Sequence, residues 1–249
     1  MMNFLAARNQ PNPRGPTFVR GGVARSEHVI EAFRHRNDGN TMVLAGESLL
    51  HSNIDVSWLA AASDTYNISS DPRDYVLVDI PIVTVDIPNR NMQAFPYEEV
   101  SYFDPLYGKF VYNTFHAKPT HIDHENKDPL KAKGVIFDAA LQYVPNYDVW
   151  KIRILGGWDR TKDPWLVDQI LRKKRTGYSM GALVENFVCS CCGAVDTNVQ
   201  KCPCMRRGKG AITSENRLVF QACCGVNFIE NSSVEDPADI TADTDAIWE

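Results

Sequence analysis

The chain has 249 residues, 44% of them hydrophobic, and a formal net charge of -5. That length can bury about three quarters of its unfolded surface as one compact body, and the acidic balance argues against a chain whose main task is to hold nucleic acid through its phosphates. The most apolar region, residues 75–88, is interrupted by Asp79, Pro81 and Asp86, so it cannot supply the roughly 20 apolar residues that span a bilayer.

Residues 1–22 are punctuated by Pro and Gly and lack periodicity, which predicts a tail or strapping arm. The short apolar stretch near Met1 is no signal-peptide core, and export is not expected. Residues 23–234 are predicted to form one domain. Within it Val76, Val78, Ile80, Ile82 and Val83, punctuated by Asp and Pro, read as strand near a sheet edge or bend. Val135, Phe137, Ala139, Leu141 and Tyr143 share one face of a period-two run; after Pro145-Asn146, Trp150, Ile152 and Ile154 alternate with Lys151 and Arg153. This is the pattern of an antiparallel hairpin.

Asp163-Pro164 supplies an N-cap and first-turn proline for a helix through Leu166, Val167, Ile170 and Leu171, which runs into Lys173, Lys174, Arg175 and Gly177. Residues 178–188, 217–222 and 226–234 follow as predicted strands. Residues 235–249 carry six carboxylates and no cation, which predicts a solvated acidic tail. Strands, one helix and more strands give a mainly β (α+β) protein, expected as an antiparallel barrel flanked by helices.

All seven cysteines fall between Cys189 and Cys224, which suits a local metal site in a reducing compartment better than a disulfide framework. Cys189-x-x-Cys192-Gly193 is half of a zinc knuckle, spanning about residues 187–207, and Cys202-Pro203-Cys204 offers the second pair of thiols. Four protein ligands would close the coordination sphere, so the role expected of zinc is structural. Cys223 or Cys224 could replace Cys204 as the fourth ligand. Arg206, Arg207 and Lys209 surround the pair, which makes a nucleic-acid adaptor a further reading.

Three segments could carry hydrolytic chemistry: His121-Ile122-Asp123-His124-Glu125-Asn126, Gly177-Tyr178-Ser179-Met180-Gly181, and Phe228-Ile229-Glu230 with Ser233-Val234 and Pro237-Ala238-Asp239. A hydroxyl becomes nucleophilic beside a base at roughly 2.6–3.2 Å whose tautomer a third group fixes. Because the predicted helix precedes Ser179, this is not the strand-turn-helix elbow of the α/β-hydrolases. His121 competes with His124 as base.

In joint order, these segments resemble the prohead proteases of tailed phages, which share the fold of the herpesvirus maturation proteases. The resemblance lies in Asp123-His124-Glu125-Asn126 leading into Gly134-Val135-Ile136-Phe137-Asp138-Ala139, in Asp159 to Pro164, in Ser179-Met180-Gly181, and in Phe228 to Ala238; it covers roughly residues 110–240. It implies a serine endopeptidase with Ser179 as nucleophile and His124 as base. For the orienting group it favours Glu230, with Asp123 as competitor. It also implies a setting: the host cytoplasm inside an assembling procapsid, with scaffold or core protein, major capsid protein and the chain itself as substrates. No membrane partner is implied, nucleic acid is not expected, and self-association into a homo-oligomer stays open. A catalytically inactive relative serving as a structural head protein is the alternative of a different class. In the same family some cuts follow a glutamate, and Ile247-Trp248-Glu249 fits the end of such a product.

Overall fold

The computed structural model describes residues 56–196 and 202–248; the predicted arm at residues 1–22 lies outside them. In chain order, helix α1 (Trp58–Tyr66) leads to strand β1 (Tyr75–Thr84), the short β2 (Gln93–Ala94), helix α2 (Tyr97–Val100), the small ribbon β3 (Phe103–Asp104) and β4 (Lys109–Phe110), and β5 (Pro119–Ile122). The long hairpin β6 (Gly134–Val144) and β7 (Val149–Asp159), helix α3 (Pro164–Leu171), β8 (Gly177–Cys189), β9 (Val195–Asp196), helix α4 (Pro203–Gly208), β10 (Gln221–Val234) and β11 (Ala246–Trp248) complete it. One sheet takes in all strands but β3 and β4, in the order β11-β1-β7-β6-β5-β10-β8-β9, with β2 added in parallel to β10.

The expected barrel is an open sheet. β11 and β9 are its two edges, and the segment before β11 reaches β8 through a single bridge, Gly177 to Asp243. The sheet nevertheless curls: Tyr178 of β8 and Phe228 of β10 share a core with Val76, Val78 and Ile80 of β1, Ile136 of β6, Ile154 and Trp158 of β7, and Leu166, Val167 and Ile170 of α3. A second core lies on the other face, where Leu59 and Ala62 of α1 cover Tyr75, Leu77, Val135 and Phe137. Pairing is antiparallel throughout except at β5–β10 and β2–β10.

Three sequence expectations change here. The hairpin stands, but its single apolar face does not: the register shifts between Ile136 and Asp138, so Val135 and Phe137 enter one core while Ala139 and Leu141 enter the other. A bulge of this kind moves every later side chain to the opposite face. The last two predicted strands have different bounds: residues 217–220 lie outside β10, and Gln221–Val234 is one strand through Gly225, whose φ of 64° and missing Cβ leave room for Glu185. The acidic end is also not free, since residues 246–248 pair antiparallel with β1. Among the described residues no helix is long and apolar enough to cross a membrane.

Two local devices aim the chain at β8. The buried Asp159 carboxylate accepts the N–H groups of Ser69 at 2.7 Å and Thr161 at 2.7 Å, and the Thr161 hydroxyl at 2.7 Å, fixing the turn out of β7. Asp163 caps α3 as predicted, accepting Leu166 N–H at 3.0 Å.

Candidate active site

β10 is the strand on which the site is built. Glu230 and Ser232, two residues apart, project from one face of it, and both are buried, Glu230 to 1% exposure. A buried carboxylate needs partners for both oxygens. Glu230 has them: Oε2 accepts the Ser232 hydroxyl at 2.7 Å, and Oε1 meets His124 Nδ1 at 2.8 Å. A carboxylate only accepts, so Nδ1 carries the proton and the neutral ring leaves Nε2 as its lone-pair nitrogen.

His124 sits just past β5, which pairs in parallel with β10 and ends opposite Ser233. Its backbone N–H donates to Ser232 Oγ at 3.2 Å, and Asp123 N–H donates to Ser233 O at 3.1 Å. The Glu230 hydrogen bond raises the His124 pKa above its ordinary value of 6.5; partial burial opposes this, and the nearby charges of Glu230 and Asp123 add to it. His121 is on β5 opposite Ser232 and is 1% exposed. Burial lowers its pKa, with the Glu230 charge working against that, and its Nε2 has no partner among the described residues. Of the two histidines, His124 is the one that reaches both a carboxylate and the surface. Asp123, the competitor for the orienting role, turns instead to Arg175, 3.0 Å away.

Ser179 is borne on β8, antiparallel to β10, with its Cα directly opposite Ser232. The glycine two residues on has a physical reason: a Cβ at Gly181 would lie 2.5 Å from Glu230 Oε1, so any larger residue there would displace the carboxylate from the imidazole. Ser179 and His124 line one cavity of about 100 Å³, whose walls include Ile82, Phe95, Asn89 and Asp239. Asp239 belongs to the supposed tail. Burial opposes its ionisation, but the Lys151 charge and bonds from Thr241 and Thr84 hold its pKa below the usual carboxylate value.

No protein-family model matches the chain, and neither a curated protein nor a solved structure matches it.

The second cluster lies past the far end of β8. Cys189 is the last residue of that strand; the chain turns through Gly193, at φ 70°, with Gly193 N–H donating to Cys189 O at 2.9 Å, and returns as β9. The thiols of Cys189, Cys192, Cys202 and Cys204 all lie within 4.8 Å of one another, with Cys192 and Cys202 sulfurs 3.6 Å apart. That is far beyond the roughly 2.05 Å of a disulfide and close to the separation of about 3.8 Å that tetrahedral geometry imposes on thiolates with metal–sulfur bonds of about 2.3 Å. The four thiols fit one ion. Cys204, not Cys223 or Cys224, completes the group: Cys223 is buried in the core on β10, and Cys224 follows it there.

Sequence reading named Ser179, His124, Glu230 and four cysteines: the four thiols cluster, and His124 bonds Glu230, whereas Ser179 shares the cavity with His124 without a hydrogen bond to it. It missed Ser232 and Arg175, and it named Asp239 in a segment without giving it a role. Ser232 had a signal, its period-two spacing from Glu230; the other two are placed only by contacts between distant segments.

Proposed function

We propose that the chain is a serine endopeptidase of phage head maturation, in which Ser179 is the nucleophile, His124 the general base and Glu230 the group that orients it. The observation that carries the reading is the 2.8 Å bond from His124 Nδ1 to the buried Glu230, on an imidazole that shares a cavity with Ser179. The phage setting rests on the motif resemblance in Asp123–Ala139, Ser179–Gly181 and Phe228–Ala238.

In the reaction, Ser179 Oγ attacks the scissile carbonyl carbon as its proton passes to His124 Nε2, and Glu230 stabilises the imidazolium. The C–N bond breaks, the imidazolium returns its proton to the leaving amine, and the acyl group remains as an ester on Ser179. A water that gives a proton to the same nitrogen then cleaves the ester and restores the hydroxyl. The substrates in this reading are scaffold or core protein, major capsid protein and the chain itself, inside the procapsid in the host cytoplasm. The four thiols of Cys189, Cys192, Cys202 and Cys204 hold structural zinc, which would staple an excursion too small to build its own core.

Ser179→Ala tests the reading. Co-expressed head proteins should be cut by the wild type and left whole by the variant, with circular dichroism unchanged, and a serine-directed fluorophosphonate should label only the wild type. Undiminished cutting by the variant would overturn the assignment. A wild type that neither cuts nor labels would favour the inactive structural relative.

A further inference from the structure

Asp123 and His124 stand at φ 49° and 59°, in the left-handed region that non-glycine residues enter rarely and against steric resistance. They are the central pair of a turn closed by Glu125 N–H donating to Ile122 O at 2.9 Å, and one side chain ties that turn to the neighbouring strand. Arg175 donates from Nε to Ser233 Oγ at 3.1 Å, and from Nη2 to both Ser233 O at 3.0 Å and Asp123 Oδ1 at 3.0 Å. Its side chain is 16% exposed. The Ser233 carbonyl it grips also accepts Asp123 N–H, and the adjoining Ser232 binds both His124 N–H and Glu230. Arg175 itself lies between α3 and β8, four residues before Ser179 (179 − 175 = 4).

We infer that Arg175 is a positioning residue that clamps the loop bearing His124 onto the strand bearing Glu230, from the entry of the strand bearing Ser179. Its kinetic consequence rests on the peptidase reading above, whereas its geometric consequence does not. One planar guanidinium meets a hydroxyl, a carbonyl and a carboxylate together; the ammonium of lysine, a point charge, holds such a set less well. An ordinary ion pair with an exposed carboxylate would be worth little, and its loss would leave the imidazole where it is. The clamp makes a different demand, because reactive groups misplaced by about 1 Å lose on the order of 100-fold in rate.

The charged and titratable groups around His124 are Glu230 from β10, Asp123 and Glu125 from its own loop, His121 from β5, Arg175 from the approach to β8, and Asp239 across the cavity. Removing the guanidinium loosens the loop and weakens the Glu230 bond that raises the His124 pKa, so the clamp predicts a His124 titration at lower pH, whereas the uncompensated Asp123 charge alone would move it up.

The experiment uses the full chain, with Arg175→Gln, Arg175→Lys and Asp123→Ala. The rate of fluorophosphonate labelling at Ser179 is split into kinact and KI across pH, and the His124 imidazole is titrated by NMR. In Arg175→Gln, kinact should fall on the order of 10- to 100-fold with KI little changed, and the His124 titration should move down; Arg175→Lys should recover part of both. Asp123→Ala, which cuts the same link from the exposed side, should also lower kinact. Wild-type kinact, or a His124 titration that stays put or moves up, in Arg175→Gln would overturn the clamp, as would a wild-type rate in Asp123→Ala should the arginine variants fail to fold. A wild type that never labels would sink the peptidase reading alone, and the NMR titrations would still decide the clamp: a downward shift supports it, and an unmoved or raised titration refutes it.

Discussion

Glu230 does two things to His124 that pull on the pH profile in a defined direction. It fixes the proton on Nδ1, and it raises the imidazole pKa above 6.5. In the proposed reaction the base works only when neutral, so the acid limb of the rate should lie above 6.5, and activity should rise as pH climbs through that raised value. Glu230→Gln removes the charge and should move the limb down, while the plateau falls by about 10³- to 10⁴-fold as the tautomer is lost. The stability of the pair runs the other way. A group whose folded pKa is raised contributes stability that is full below its unfolded value, near 6.5, and lost as pH rises through the folded value. Urea denaturation at pH 5.5 and 8.5 should therefore show Glu230→Gln losing more stability, relative to wild type, at the lower pH. Equal losses at both would mean that the hydrogen bond does not hold in solution. At this scale the sequence was readable where chemistry is tied to residue type: a serine, a histidine and a carboxylate in recognisable surroundings. It was not readable for Arg175, because nothing local to an arginine after a helix reveals that it reaches residues 52 and 58 positions away in the chain.

Elements written by local rules were read correctly. The β6–β7 hairpin follows from alternation and a proline turn, and α3 from an aspartate cap and apolar spacing. The bulge in β6 was hidden because both faces of that strand are buried, so an apolar run looks the same before and after a register shift. The run of β10 through Gly225 was hidden for a similar reason: a glycine inside a strand pattern reads as a break until the Glu185 side chain that fills the space is known. The cysteine excursion is held differently from both. It hangs between β8 and β10 with four converging thiols, and little apolar burial is within its reach. Chelation, or Cys202→Ser, should release one equivalent of zinc and raise amide exchange through residues 189–196 and 202–208. The amides of β6 and β7 should keep their protection. Full protection of the excursion after the metal is gone would show that the thiols are merely packed together.

At the scale of the whole molecule, the feature composition misjudged is the acidic end. Six carboxylates without a cation suggested repulsion into solvent, but the cations that answer them lie elsewhere in the chain. Asp236 pairs with Arg90, Lys151 stands by Asp239, and Asp245 meets Arg153, which also holds the buried Asp79 at 2.7 Å. Between these points Tyr178 N–H donates to Ala242 O at 2.8 Å and Asp245 N–H to Asp79 O at 3.0 Å, so the segment crosses from the entry of β8 to the outer side of β1. This strap spans the gap that keeps the sheet from closing, and it supplies Asp239 to the cavity on the way. Its last part has a separable job. Deleting residues 245–249 leaves Asp239 and Ala242 in place but strips β11 from β1, exposing a row of unpaired backbone groups. An uncovered strand of that kind recruits another chain. The truncated protein should lose roughly 1–3 kcal/mol of stability and self-associate in a concentration-dependent way, by thermal denaturation and sedimentation velocity, while Ser179 still labels with fluorophosphonate below the melting point. Loss of labelling with stability intact would mean instead that the end of the strap shapes the cavity.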